Sequence, residues 1–188
     1  MNYAPLLEAI SFAAYKHRKQ RRKDHEASPY INHPITVATI LANEGGVDDE
    51  SLLIAAILHD TVEDTKTTFE ELEEIFGIDI ANVVREVSDD KNIIKALRKR
   101  LQVEHAPYAS ARAKQIKIAD KISNIRDITT KPPKSWTIER KLKYLDWSCE
   151  VVNGCRGINP GLDKVFDDAI AEGKFVINST GQAAKLLG

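Results

Sequence analysis

Residues 52–60 read LLIAAILHD, and this stretch constrains the fold more than any other. As a helix it is apolar on every side, so it can be stable only when other elements surround it. It is also far too short to cross a bilayer, which takes roughly 20 apolar residues. The stretch therefore predicts a central helix of a globular assembly, capped at its start by Asp48 or Asp49. It ends on two polar residues, His59 and Asp60, which the same surroundings would bury.

The rest of the chain carries the helical period, and no segment alternates long enough to make a useful strand. The fold class read from this pattern is all-α. A first helix is expected from Pro5 to about Lys19, with Leu6, Leu7, Ile10, Ala13 and Ala14 on its buried stripe. A second should start at Asn32-His33-Pro34, where a proline suits the first turn, and end at Gly45-Gly46. Thr68 and Glu71 form a candidate capping box for the helix FEELEEIF, which Gly77 stops. Further helices are expected over about Ile80 to Val87, Asn92 to Glu104, Ser110 to Ile128, Thr137 to Val152 and Pro160 to Ala171. No repeat, low-complexity tract or linker divides the 188 residues, so one domain over 1–188 is expected.

Composition narrows the function. The first residues lack the features of a secretory signal, which points to a cytoplasmic protein. Cys149 and Cys155 make neither a disulfide framework nor a zinc spacing and read as reduced thiols. A net charge of −1 gives no global attraction to nucleic acid. Locally the charge is uneven: Arg18, Lys19, Arg21, Arg22 and Lys23 form a basic run, and Asp60, Glu63 and Asp64 an acidic group. A metal-dependent enzyme acting on a polyphosphate needs both, although a solvated helix end would explain the basic run equally well.

His59 and Asp60 need distant partners if they are to hold a cation, because neighbours on a helix diverge by about 100°. His33, at the start of the second helix, and Asp120, inside the apolar and basic stretch KIADKISNI, are the candidates. Each alone is more ordinarily a core histidine or an ion-pair partner. Burying all of them without a cation would be costly, which favours a site, and two imidazoles with two carboxylates suit Mn²⁺ or Fe²⁺. Glu63 follows His59, and Asp64 follows Asp60, by one helical turn, where a group directing an attacking water would stand. Asn124 shares the face of Asp120 and could meet a substrate.

These residues resemble a known family. His33, His59-Asp60 and Asp120 match the H…HD…D signature of the HD phosphohydrolases, while YINHP, HDTVEDT and KIADKISNIRD are similar to the hydrolase domain of the Rel/Spo alarmone enzymes. The likeness runs from about Ala4 to Val165 and is nearest to the stand-alone small alarmone hydrolases. It implies an all-α HD-domain bundle and one Mn²⁺ per chain, held by His33, His59, Asp60 and Asp120. It also implies a catalytic pair, Glu63 and Asp64, and substrate contacts from Arg22, Lys23 and Asn124, with Arg140 and Tyr144 lining the same pocket. Lys95 is added as a further cation balancing the phosphates. The loop DHEAS is two residues longer than in the long bifunctional enzymes. No histidine stands between His59 and His105, so no second metal is expected.

The implied activity is removal of pyrophosphate from the 3′ position of guanosine tetraphosphate and pentaphosphate, with a small nucleotide and neither nucleic acid nor membrane as partner. Two alternatives stay open. One is a related phosphatase acting on the 2′-phosphate of NADPH or on nucleoside monophosphates. The other is a silent alarmone-binding module, against which the presence of both Glu63 and Asp64 speaks.

Overall fold

The computed structural model describes the backbone of residues 3–186 and side chains as far as residue 181. In chain order the helices are α1 (Ala4–Lys16), α2 (Asn32–Asn43), α3 (Glu50–Leu58), the single turn α4 (Thr61–Asp64), α5 (Phe69–Phe76), α6 (Ile78–Val87), α7 (Lys95–His105), α8 (Ala111–Thr130), α9 (Ile138–Asn153) and α10 (Pro160–Leu186). A short 3₁₀ turn, Ala106–Tyr108, precedes α8. Among the described residues the only β feature is an isolated antiparallel bridge between Arg21 and Pro29.

The apolar helix is central, as its sequence requires. Leu52, Ile54, Ala55, Ala56, Ile57 and Leu58 of α3 are all buried, and α1, α2, α6 and α8 pack around it. Asp49 caps α3 by accepting the Leu52 amide at 3.2 Å. The long α8 is the second axis of the core: Ile116, Ile118, Ala119, Ile122 and Ile125 are buried along it, and α2, α6, α9 and α10 lie against it. Removing any one of these large side chains leaves a cavity that costs about 2–5 kcal/mol.

Several boundaries differ from the sequence reading. α1 stops at Lys16, not near Lys19, because His17 turns inward and is buried against the Tyr30 ring, 4.9 Å away. The chain then forms a hairpin, with Tyr30 N–H donating to Gln20 O at 3.2 Å and Arg22 N–H to Ser28 O at 2.8 Å. The basic run thus lies mostly on a hairpin and not on a helix end. Thr68 caps α5 through the Glu71 amide, but Glu71's carboxylate reaches Lys16 at 2.7 Å instead of closing a capping box. Gly77, at φ 87°, ends α5 and starts α6 in a conformation that side chains rarely adopt. α10 runs on to Leu186, well past Ala171. Gly173, a weak helix former, lies mid-helix because a Cβ there would meet Thr129 Oγ1 at 3.0 Å and Leu145 Cδ2 at 3.1 Å. Both cysteines are free, with Cys155 buried and Cys149 half-buried.

Candidate metal centre and substrate cleft

Four of the residues singled out in the sequence converge from three places in the core. His33 is on the first turn of α2, His59 and Asp60 follow the end of α3, and Asp120 lies midway along α8. Ligand atoms of His33, His59 and Asp60 all fall within 4.8 Å of one another. Asp120 Oδ1 joins them at 3.0 Å from His33 Nε2 and 4.0 Å from His59 Nε2. Asp60 Oδ2 is 3.8 Å from His33 Nε2 and 3.1 Å from His59 Nε2. Both histidines are buried.

The surroundings aim these atoms at one point. His59 Nδ1 donates to the Ala56 carbonyl at 2.7 Å, which leaves Nε2 as the free nitrogen. That Nε2 is buried and makes no hydrogen bond among the described residues, although Asp60 Oδ2 is 3.1 Å away. His33 Nδ1 meets Ser123 Oγ at 3.1 Å. Asp60 Oδ2 accepts from Tyr30 OH at 2.6 Å. Asp120 accepts from Asn124 Nδ2 at 2.7 Å and from the buried Lys121 Nζ at 2.9 Å. Oriented histidines with a carbonyl or hydroxyl behind them, beside carboxylates that are themselves hydrogen-bonded, are what a divalent cation requires.

Charge follows the same geometry. Burial works against ionisation of Asp60 and Asp120, but the imidazoles and, for Asp120, the Lys121 ammonium outweigh it and hold both carboxyls well below the usual range. Burial pulls the His59 imidazole down, while Asp60 and Asp120 more than compensate and raise it to about 9 in the protein by itself. A cation between these groups would take the place of that proton. The described residues therefore include a buried His/Asp group with the donor chemistry of a metal site.

The single turn α4 decides where the acids go. The helix pauses at His59-Asp60 and resumes for the one turn that carries both acids, and because neighbours on a helix point about 100° apart, Glu63 and Asp64 face different cavities. Glu63 borders the metal cavity of about 180 Å³ and a larger cleft of about 520 Å³. Its carboxylate accepts the Asp89 amide at 3.1 Å and Arg98 Nη1 at 3.2 Å. Burial, followed by the nearby Asp60, Asp89 and Asp64, nevertheless pushes it up to about 7. Asp64 faces a third cavity, of about 430 Å³, beneath the basic hairpin. There it accepts from Gln20 Nε2 at 2.7 Å and pairs with Lys91.

The residues expected to meet a substrate ring these cavities. Arg22 and Asn124 line the metal cavity and the one beneath the hairpin, which Lys23 also borders. Arg22 Nη2 donates to Asn124 Oδ1 at 3.0 Å and to Asp127 Oδ2 at 2.5 Å, so it is locked to α8. Lys95, Arg140 and Tyr144 line the large cleft with Glu63. Burial pushes the Tyr144 phenol up to about 12, so it stays neutral.

Sequence reasoning missed several lining groups. Tyr30 stands in the same YINHP segment as His33 and bonds Asp60. Asp89, Arg98 and Gln102 border both the metal cavity and the cleft or surround Glu63, and nothing in their spacing marks them out. Trp136 and Trp147 flank Tyr144 with ring centroids 5.6 and 5.4 Å away, and Arg140 and Lys99 lie over the tryptophans at 4.5 and 4.2 Å. The signal for this aromatic wall was the i, i+3 spacing of Tyr144 and Trp147 on a helix already tied to the pocket.

An all-α bundle that brings two buried histidines and two half-buried aspartates together beside a large cleft defines a class, and residues 9–145 match the HD domain family. The chain belongs to that family. It is 55% identical over 164 residues to a Xenopus tropicalis guanosine-3′,5′-bis(diphosphate) 3′-pyrophosphohydrolase, MESH1, covering 87% of this chain and 92% of that protein. It is 53% identical over 163 residues to the human protein of the same name, covering 87% and 91%. A solved structure described as a metazoan ortholog of SpoT that hydrolyzes ppGpp superposes with TM-score 0.88 at 47% identity, covering 92% of this chain and 97% of that one.

Proposed function

We propose that the chain is a metal-dependent guanosine-3′,5′-bis(diphosphate) 3′-pyrophosphohydrolase, a single HD-type unit over residues 1–188 that uses one Mn²⁺. The observation that carries this reading is the convergence of His33, His59, Asp60 and Asp120 around the orphaned His59 Nε2, in a chain about half identical to proteins named for that reaction. An imidazole-carboxylate set without sulfur favours Mn²⁺ over softer metals. When bound, the cation supplies Lewis-acid activation of the phosphoryl group under attack.

The chain's own residues do the rest. Glu63, beside the metal cavity, takes the proton of the attacking water, and a carboxylate raised to about 7 is matched to that task near neutral pH. Asp64, from the neighbouring cavity, helps to orient that water. The water oxygen forms a new bond to the 3′ phosphorus, the bond to the ribose 3′ oxygen breaks, and that oxygen takes up the proton Glu63 removed, giving pyrophosphate and GDP or GTP. Arg22, Lys23, Lys95 and Arg140 balance the phosphates, with arginine forks suited to phosphate oxygens. Asn124 and Tyr144 hold the nucleoside.

The same reading places the enzyme in the cytoplasm, acting on a free nucleotide without nucleic-acid or membrane partners. Its net charge of −1 supports the first exclusion. No helix among the described residues is long and apolar enough to cross a membrane. The test is to incubate the purified protein with Mn²⁺ and a panel of guanosine tetraphosphate, NADPH and nucleoside monophosphates, and to resolve the products by anion exchange. Release of pyrophosphate from the tetraphosphate is expected. Orthophosphate released only from NADPH or the monophosphates would favour the phosphatase alternative, and binding without turnover would favour a silent sensor.

A further inference from the structure

Gln20 is the last residue before the exposed arm of the basic hairpin, and its side chain bridges the buried His17 and the half-buried Asp64. Nε2 donates to Asp64 Oδ2 at 2.7 Å, and Oε1 lies 2.6 Å from His17 Nδ1. These partners fix the amide's orientation. A carboxylate only accepts, so the NH₂ must face Asp64, and Oε1 must then receive a proton from His17 Nδ1. His17 is 2% exposed, and burial lowers its pKa, which keeps it neutral with a single N–H. Its other nitrogen, Nε2, is buried with no partner among the described residues, as that tautomer leaves it.

Among the described residues Asp64 has one other side-chain partner, Lys91, whose side chain is 49% exposed. A pair with so exposed a partner holds weakly, because solvent screens it and the lysine is free to turn. Gln20 is therefore the group that sets where Asp64 points. The same rung of the hairpin reaches the metal group as well: Tyr30 N–H donates to Gln20 O at 3.2 Å, and Tyr30 OH donates to Asp60 Oδ2 at 2.6 Å. His17 stacks on Tyr30, closing the unit.

We propose that Gln20 is a positioning residue for hydrolysis, which holds Asp64 in place and is itself held in one amide orientation by the buried His17. The base of the basic hairpin thus serves the reacting end of the site, while its exposed cations serve the phosphates. This rests on the reading of Asp64 as an acid that orients the attacking water, and the experiment separates the two.

The full chain loaded with Mn²⁺ is assayed on guanosine tetraphosphate, with metal content and thermal midpoint measured for each variant. Gln20→Ala should lower kcat about tenfold, the scale of a lost orienting partner, with KM and metal content within about twofold of wild type. Gln20→Glu, nearly the same size, should lower kcat further, because a second carboxylate repels Asp64 where an amide attracted it; it carries the test if Gln20→Ala does not fold. His17→Phe keeps the ring stack and frees the amide to turn, so its loss in kcat should be smaller than that of Gln20→Ala. The double variant Gln20→Ala/Asp64→Ala should be no slower than Asp64→Ala alone, since Gln20 acts only through Asp64. Losses that multiply, or wild-type kcat in both Gln20 variants while Asp64→Ala is slow, would overturn the link alone. Metal loss parallel to the loss of kcat in Gln20→Ala would also overturn it, by showing an effect through Asp60. Full activity in Asp64→Ala would overturn the role of Asp64 and the link with it.

Discussion

The two ends of the proposed site are built differently. At the metal end, His33, His59, Asp60 and Asp120 come from helices that form the middle of the core, and each has a hydrogen-bonded partner behind it, from the Ala56 carbonyl to Tyr30 and Lys121. At the recognition end, Lys23, Lys95 and Arg140 are exposed and project from a hairpin and from the outer helices α7 and α9. The difference follows from what each end must do. A cation needs fixed ligands, and fixing charged groups is possible only where packing and hydrogen bonds offset their burial. Phosphates carry charge that long cations can meet from solvent, where a change of side chain disturbs little else.

If this contrast holds, damage at the metal end should be catastrophic and damage at the recognition end graded. The largest effect is expected from Asp60→Ala, which removes a proposed ligand and the acceptor of Tyr30. Metal content should fall to background, and turnover should drop on the order of 10³-fold or more. Metal retained at wild-type stoichiometry would break the comparison at its rigid end.

Glu63 lies at the seam between the two ends. Glu63→Gln should keep the metal and lower kcat by roughly 10²-fold, the usual size of a lost general base. In the proposed mechanism the working form is the carboxylate, which burial pushes up to about 7. Activity should therefore be present above that pH and fall as pH drops through it, and Glu63→Gln should flatten this limb of the kcat profile. Equal metal loss in Glu63→Gln and Asp60→Ala would make Glu63 a ligand instead.

The recognition end gives the next effect. Changing Arg22 and Lys23 together to Ala should raise KM for guanosine tetraphosphate by about tenfold, as expected for lost charge-assisted contacts. KM for a nucleoside monophosphate should change much less, and added salt should weaken the wild type more than the variant. An equal rise for both substrates would assign selectivity to the nucleoside side, where Asn124, Arg140 and Tyr144 stand. The smallest effect tests the scaffold that both ends share. Ser110 caps α8 by accepting the Ala113 amide at 3.2 Å, so Ser110→Ala should cost about 1 kcal/mol of stability. The thermal midpoint should fall by a few degrees with kcat unchanged.

Much of this molecule is legible in its sequence, for one physical reason. His59-Asp60 at the end of the apolar α3, and Asp120 within the apolar stripe of α8, are polar groups at positions that packing would otherwise fill with hydrocarbon, so they show against their own pattern. Capping and breaking residues such as Asp49, Thr68 and Gly77 likewise act on the backbone next to them, and they located the helix ends from the sequence. What the sequence could not decide was anything set by the meeting of distant segments. The early end of α1 depends on His17 packing against Tyr30, and the length of α10 depends on Gly173 crossing Thr129 and Leu145. Which cavities Glu63 and Asp64 face depends on the distant segments that line them, from the hairpin to α7. Gln20, Arg98 and Gln102 are ordinary polar residues in their own segments. They enter the site because folding brings α1, the hairpin and α7 to the mouth of the His/Asp group built by α2, α3 and α8, and long-range packing of this kind leaves no periodic trace in the chain.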